Sequence, residues 1–377
     1  MVSVSRRATS VLGLLLLALG QADSSAASHT LLPRLDISFR RAAAVVADAR
    51  LPGEMLLADA KGNTRTVAFG LADRKSGKRN KVGQRWLWAS ITKQVTATLV
   101  LQEVDRGRIA LDDPVGTHLP GFRGDRAITI RQLLQHQSGL PNPSDTPPAN
   151  GIPAFYLETG TAITNRARTD GFCAGAPKST RGGAWEYNNC DYLVLGAVLE
   201  AVTGTSFAQL FEARIARPLG MRTARLAADR ARRGGATAIN YHGQSPSPEI
   251  NVATGGAAAA LTGSARDLAL FDKALMNGLL LTPATRMAAW SGDPRLGFMA
   301  LGVWSYSAEL KGCPAPVALV ERRGDFGGTQ VRNVIAPALG RAVILFTNDS
   351  AADFGEVWQG RGLTFDLLSA SFCADGN

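Results

Sequence analysis

The chain has 377 residues, 45% of them hydrophobic and 19% charged, which is ample material for a sizeable core in one large domain or two interleaved subdomains. The formal charge of +10 is carried by arginines scattered along the chain. They do not cluster with aromatic residues and no nucleic-acid motif accompanies them, which excludes a nucleic-acid partner and leaves at most a mild preference for anionic cell-envelope polymers.

Arg6 and Arg7 precede an apolar run over 11–20, and Ser25 and Ala27 fit the small-residue positions before a cleavage site. Residues 1–27 therefore read as a secretory signal. The run is too short to span a bilayer comfortably, and no stable membrane span is expected once it is removed, an uncleaved anchor being the alternative. Residues 28–377 then read as a single domain, expected in the periplasm or secreted.

The spacing predicts an alanine-rich amphipathic helix over 35–50, then a β-hairpin of 54–60 and 64–70 around Lys61-Gly62-Asn63. A basic loop at 73–83 leads to a helix that begins near Ser90. From there to about residue 288 the pattern is mostly helical, with helices at 191–203, 206–217 and 265–277 and glycine- and proline-rich loops at 139–153 and 166–183. Strands return at 299–306, 316–321, 331–336 and 342–347, and a last helix is expected at 354–370. There are no internal repeats. This order implies an α/β (α+β) fold, in which N- and C-terminal strands form one antiparallel sheet flanked by helices. A large, mainly helical subdomain is inserted at roughly 100–290.

The stretch from Leu87 to Leu101 carries the first chemical signal. A helix beginning at Ser90 places Ser90 and Lys93 on one face, so that the amine reaches the hydroxyl. A serine hydroxyl needs a partner that removes its proton, and a lysine serves only when neutral, which burial in this apolar helix would favour. Taken alone the signal is weak, because a serine before an apolar run is commonly an N-cap. A second candidate group is Tyr187, Asn188 and Asn189, just before the 191–203 helix. A phenol beside a lysine can be ionised or can shuttle a proton, and an amide can orient both lysine and substrate.

Export makes Cys173, Cys190, Cys313 and Cys373 candidates for two disulfides. Four cysteines allow three pairings. Cys173 with Cys190 and Cys313 with Cys373 keeps each pair within one half of the chain, and free buried thiols are the alternative. No Cys-x-x-Cys or Cys/His spacing suggests a metal site. The chain has no Gly-x-Ser-x-Gly elbow to accompany its histidines, and His136 reads as a packing or hydrogen-bonding residue.

With these residues in view, the chain resembles the penicillin-recognising serine hydrolases, in the group of class C β-lactamases, D-alanyl-D-alanine carboxypeptidases and β-lactamase-like esterases. Ser90-Ile91-Thr92-Lys93 matches the first motif of that family and Tyr187-Asn188-Asn189 its Tyr-x-Asn motif. The stretches 111–115, 133–141 and 218–221 are also similar. The third motif departs from the family pattern of Lys-Thr-Gly or His-x-Gly. By spacing its equivalent is Arg322-Arg323-Gly324, whereas Lys75-Ser76-Gly77 matches the letters but precedes the nucleophile and reads as a surface turn.

The resemblance implies an acyl-transfer hydrolase, D-alanyl-D-alanine carboxypeptidase-like or esterase-like, that works through a covalent acyl-enzyme without metal or cofactor on a small-molecule or peptide substrate with an ester or amide bond, a peptidoglycan fragment included. Ser90, Lys93 and Tyr187 would be catalytic; Asn189, Arg322, Gly324 and Asp325 would bind substrate. The backbone N–H groups of Ser90 and about Asp325 would form the oxyanion hole. Arginine in the third motif cannot shuttle a proton but offers a fork that suits a carboxylate, and Asp325 would partly cancel that attraction. Alternation along a strand leaves open which of Arg322 and Arg323 faces the pocket. The alternative to a hydrolase is a penicillin-binding or sensor protein that acylates and turns over slowly or not at all.

Overall fold

The computed structural model describes residues 24–373, with side chains from Leu35 onward. Most of the expected secretory signal at 1–27 lies outside the described residues. The principal helices are α1 (Ser24–Asp48), α2 (Ile91–Asp105), α3 (Asn189–Thr203), α4 (Ala265–Met276) and α5 (Leu363–Phe372). The main sheet has six strands: β1 (Gly53–Asp59), β2 (Thr64–Phe69), β3 (Trp304–Ala308), β4 (Val317–Phe326), β5 (Thr329–Ala336) and β6 (Arg341–Thr347).

The strand order is β3-β4-β5-β6-β1-β2, and every neighbouring pair is antiparallel. The two ends of the chain meet at β1 and β6, where Gly53 pairs with Thr347 and Asp59 with Arg341. Both faces of the sheet are covered, so β1 is buried along nearly its whole length instead of alternating. Met55 and Leu57 pack with α1 and α5 on one face. Leu56 and Ala58 join the larger core of α2, α3 and α4 on the other. Between β2 and β3 the chain forms the inserted, mainly helical region, which also contains a small sheet of Trp86–Leu87, Leu261–Gly263 and Arg225–Leu226.

Local sequence explains the helix ends that matter for the site. The Asn188 side chain accepts from the Cys190 N–H and caps α3, which stops at Gly204 with a left-handed φ of 65°. Ser264 caps α4 by accepting from the Asp267 N–H at 3.1 Å. Both disulfides follow the within-half pairing, Cys173–Cys190 and Cys313–Cys373. Lys75-Ser76-Gly77 is an exposed turn held by the Asp73 carboxylate, which accepts from the Lys75 N–H at 2.9 Å and the Ser76 Oγ at 2.6 Å. Among the described residues no single helix is long and apolar enough to cross a membrane.

Several expected boundaries are corrected. The helix expected at 35–50 is the later part of α1, and the 206–217 helix divides into Phe207–Phe211 and a wider turn at Glu212–Ala216. The strand expected at 299–306 starts only at Trp304, whereas the 316–321 strand continues to Phe326 and so carries the third motif. The last helix covers Leu363–Phe372, not 354–370. Gly355, Gly360 and Gly362 hold φ values of 62°, 65° and 94°, which break the helical path before Leu363.

Candidate active site

Ser90 stands at the cap position of α2, yet its side chain makes no capping bond. Its Oγ instead lies 3.1 Å from the Lys93 Nζ and contacts the Tyr187 Oη. The preceding Ala89 holds a φ of 48°, a region that costs about 1–3 kcal/mol for a residue with a Cβ. Two anchors keep it there. The Thr92 Oγ1 donates to the Ala89 carbonyl at 2.7 Å, and the Trp88 N–H donates to the Leu261 carbonyl at 2.9 Å. This strained turn presents Ser90 with its hydroxyl turned away from its own helix end. Its N–H has no acceptor among the described residues.

Lys93 is completely buried. Its Nζ donates to the Asn189 Oδ1 at 2.6 Å and to the Ala258 carbonyl at 3.0 Å. A neutral amine has two N–H groups for those two oxygens and a lone pair left to face the Ser90 hydroxyl. Burial pulls the lysine down to about 8; Tyr187 opposes that shift and the Arg322 guanidinium adds to it. Burial alone would push the Tyr187 phenol up. The positive charges of Lys93 and Arg322 outweigh it, so the phenol ends below its ordinary value. The lysine and the tyrosine titrate as a coupled pair.

Asn189 opens α3 and joins three parts of the site. Its Nδ2 donates to the Tyr156 Oη at 2.9 Å, while its backbone N–H reaches the Asn142 Oδ1 at 3.3 Å. Asn142 also donates through its Nδ2 to the Tyr187 carbonyl at 3.1 Å, so one side chain fixes both ends of the Tyr-x-Asn segment. Behind Tyr187 lies His136, buried, with its ring 4.7 Å from the phenol ring and its Nδ1 2.9 Å from the Asp191 Oδ2. Burial keeps His136 well below and Asp191 well above their ordinary values, so the pair is uncharged overall. It is a packing and hydrogen-bonding unit, as the sequence indicated.

The third motif resolves into two faces. Arg322 and Gly324 lie on the Ser90 side of β4, whereas Arg323 and Asp325 lie on the other. The Arg322 Nε donates to the Ser90 carbonyl at 3.0 Å and its Nη1 to the Gly302 carbonyl at 3.3 Å. Arg323 is tied to the Glu321 Oε1 at 2.6 Å and the Glu356 Oε1 at 2.8 Å. Gly324 is where the strand meets the nucleophile turn. A Cβ there would lie 2.9 Å from the Trp88 carbonyl oxygen, 3.1 Å from the Ala89 Cβ and 2.5 Å from the Val331 Cγ1.

Two expectations change as a result. Arg322 is 0% exposed, so its guanidinium is not offered to a substrate carboxylate. The Asp325 side chain points away from Ser90, which leaves only its backbone for the site. The residues that sequence reasoning missed are Asn142, Tyr156, Trp185, Trp304 and Phe326. The Tyr156 and Phe326 rings meet at 5.1 Å, and Trp185 lies 6.4 Å from Tyr187 and 6.0 Å from Trp304. Asn142 directly follows the 133–141 stretch and Trp185 stands two residues before Tyr187, so proximity to a motif was the available signal for those two.

Comparison with known proteins shows the family and the fold. A family model described as Beta-lactamase matches residues 40–363. The chain is 33% identical over 241 residues to the esterase EstB of Burkholderia gladioli, a match covering 58% of this chain and 57% of the esterase. It is 31% identical over 180 residues to penicillin-binding protein 4 of Amycolatopsis lactamdurans, covering 45% of this chain and 44% of that protein. The chain thus spans only about half the length of these relatives, 57% of the esterase and 44% of the penicillin-binding protein. In fold it is similar to the D-amino acid amidase of Ochrobactrum anthropi SV3, solved with D-phenylalanine, at a TM-score of 0.73 and 19% identity over 88% of this chain and 98% of the amidase.

Proposed function

The chain belongs to the β-lactamase family, and from that premise we propose that it is an exported serine hydrolase that forms a covalent acyl-enzyme on Ser90 from an uncharged ester or amide. The observation that carries this reading is the buried Lys93 Nζ held 3.1 Å from the Ser90 Oγ, with the Tyr187 oxygen on the same hydroxyl. The Tyr187 oxygen accepts the Ser90 proton as Oγ bonds to the substrate carbonyl carbon. The resulting oxyanion takes the free Ser90 N–H and the strand N–H near Asp325 as donors. When the tetrahedral intermediate collapses, the bond to the leaving group breaks and Tyr187 returns the proton to it, with Lys93 as its electrostatic partner. Water then attacks the acyl carbon and gives a proton to Tyr187, and as this second tetrahedral intermediate collapses the bond to the Ser90 Oγ breaks, Tyr187 returns the proton to Oγ and the acid is released.

Support for an esterase-like or amidase-like substrate comes from charge. Arg322 is sealed beneath the nucleophile and Arg323 is held by two glutamates, so neither guanidinium reads a C-terminal carboxylate. Aromatic rings adjoin the polar cluster, which suits an uncharged acyl or leaving group. The two disulfides fit an exported protein.

The test is parallel turnover of the mature protein and of Ser90→Ala on a p-nitrophenyl ester, a chromogenic cephalosporin and a D-alanyl-D-alanine peptide. Ester turnover that falls about a thousandfold or more in Ser90→Ala supports the reading. Full activity in that variant overturns it, and a stable penicillin adduct without turnover of any substrate identifies a penicillin-binding sensor instead.

A further inference from the structure

One buried histidine holds the chain on both sides of Tyr187. The His136 carbonyl accepts from the Glu186 N–H at 3.0 Å, and its ring Nδ1 faces the Asn188 N–H at 3.3 Å. To reach both it adopts a left-handed φ of 58°, uncommon for a residue with a Cβ. The same Nδ1 lies 2.9 Å from the Oδ2 of Asp191, itself fully buried on α3.

These contacts locate a proton. A hydrogen on Nδ1 would point at the hydrogen of the Asn188 N–H, so Nδ1 presents its lone pair there. Asp191 then bonds to that nitrogen only by donating an O–H of its own. The proton of the imidazole falls on Nε2, which has no polar partner among the described residues. Aromatic rings surround the imidazole instead, with centroids at 4.7 Å for Tyr187, 5.2 Å for Tyr192 and 6.2 Å for Trp185. Ring faces attract an N–H and repel a lone pair.

We propose that Asp191 is a carboxylic acid whose O–H donates to the His136 Nδ1, a positioning residue that keeps this nitrogen an acceptor for the Asn188 N–H and so holds Tyr187 against Ser90. It supplies a donor without adding a charge. That matters because a carboxylate at this place would draw Lys93 toward its ammonium form, in which it has no lone pair for the Ser90 hydroxyl. The consequence for rate rests on the reading of Tyr187 as the acceptor of the Ser90 proton; the place of the Asp191 proton does not.

The charged and titratable groups facing the pair agree with this assignment. They are Lys93 on α2, Arg322 on β4, Glu186 and Tyr187 just before α3, and Tyr192 on α3. Burial, Arg322 and Lys93 all disfavour an imidazolium. Lys93 and the Ser138 hydroxyl pull Asp191 toward a carboxylate, but burial outweighs both and Glu186 opposes them.

The experiment is nitrogen-15 NMR of the full protein with labelled histidine, the His136 signals being assigned by elimination with His29→Gln, His118→Gln and His242→Gln. Across neutral pH the Nδ1 should give a signal of the unprotonated type and Nε2 one of the protonated type. A protonated Nδ1, alone or with a protonated Nε2, overturns the proposal. Two variants then test the role through the pH profile of kcat/KM and through kcat on a p-nitrophenyl ester. Asp191→Leu removes the donor and should lower kcat about tenfold, and Asp191→Asn, whose amide N–H replaces the O–H, should restore most of that loss. In Asp191→Asn the acid limb should stay at its wild-type pH. A limb that moves down by about one unit or more would show that a carboxylate had been removed beside Lys93, and a Leu variant with wild-type kcat would show that the bond positions nothing; either overturns the proposal. Where the Leu variant does not fold, the NMR signals and the Asn variant decide. The NMR needs no substrate, so a failure of the hydrolase reading in the Ser90→Ala assay is distinguishable from a failure here.

Discussion

The Lys93 Nζ and the Asn189 Oδ1 lie 2.6 Å apart, which fastens the amine beside the nucleophile to the first residue of a second helix. That contact has two separable effects, position and charge. Asn189→Ala removes the anchor and should lower kcat on the order of a hundredfold, with little change in melting temperature. Asn189→Asp keeps the shape but sets a carboxylate against the amine, which favours protonated lysine. The acid limb of kcat/KM should then move up by about 1–3 pH units. pH–rate profiles of both variants check this; an Asp variant with an unmoved limb would mean that Lys93 ionisation does not control the rate.

Gly324→Ala tests the close approach of β4 to the nucleophile turn. The added methyl meets the Trp88 carbonyl and the Val331 side chain, both within 2.9 Å, and neither neighbour is the free end of a flexible chain. The strand or the turn must shift, at a cost of about 1–3 kcal/mol. A shift of the turn moves Ser90 against Tyr187, so activity should fall by more than the stability loss explains. Urea unfolding and ester turnover on the same preparation measure the two effects; unchanged values of both would refute the close contact.

What the sequence disclosed follows from how local each relationship is. Ser90 and Lys93 are one helical turn apart, so spacing alone placed them together. Tyr187 and Asn189 were legible because a short motif sits at a helix start with its own cap, Asn188. Arg322 and Arg323 were not separable, because the face each takes depends on the register of β4 against β3 and β5, which pairing over distance decides. Tyr156 was invisible for a different reason. It lies in a short 3-10 turn, Ala154–Leu157, where no periodicity marks a buried side. The expected 354–370 helix failed because the apolar pattern was read through glycines that the backbone uses for left-handed turns.

The two disulfides should separate stability from activity. Cys190 follows Asn189, so its bond to Cys173 ties down the end of α3 that holds Lys93. Cys313–Cys373 instead fastens the end of α5, on the far face of the sheet. Chain-entropy arguments assign about 3 kcal/mol to the 17-residue separation and about 4 kcal/mol to the 60-residue one. Replacing Cys313 and Cys373 by serine should therefore lower the unfolding midpoint more and leave kcat unchanged. Replacing Cys173 and Cys190 should lower kcat as well. Denaturation and turnover of the two double variants decide it, and equal kcat losses would contradict the assignment.

Asp272 predicts a pH dependence of stability that owes nothing to catalysis. It is buried on α4, where one carboxyl oxygen accepts from the Asn333 Nδ2 at 2.9 Å and the other has no partner among the described residues. Burial pushes this carboxyl up to about 7, against an unfolded value of about 3.9. The folded state therefore holds a proton that the unfolded chain has already released. Its stabilising contribution is complete below the unfolded value, declines as pH rises, and is gone above the folded value. The whole swing is on the order of 4 kcal/mol. Asp272→Asn carries no such dependence, so its unfolding free energy should exceed that of the wild type increasingly from about pH 4 to about pH 8. Urea unfolding of both proteins across that range isolates the effect, because every other titrating group is common to them. A difference that stays constant with pH would mean that Asp272 is already ionised in the folded protein and that its cavity is more polar than its neighbours indicate.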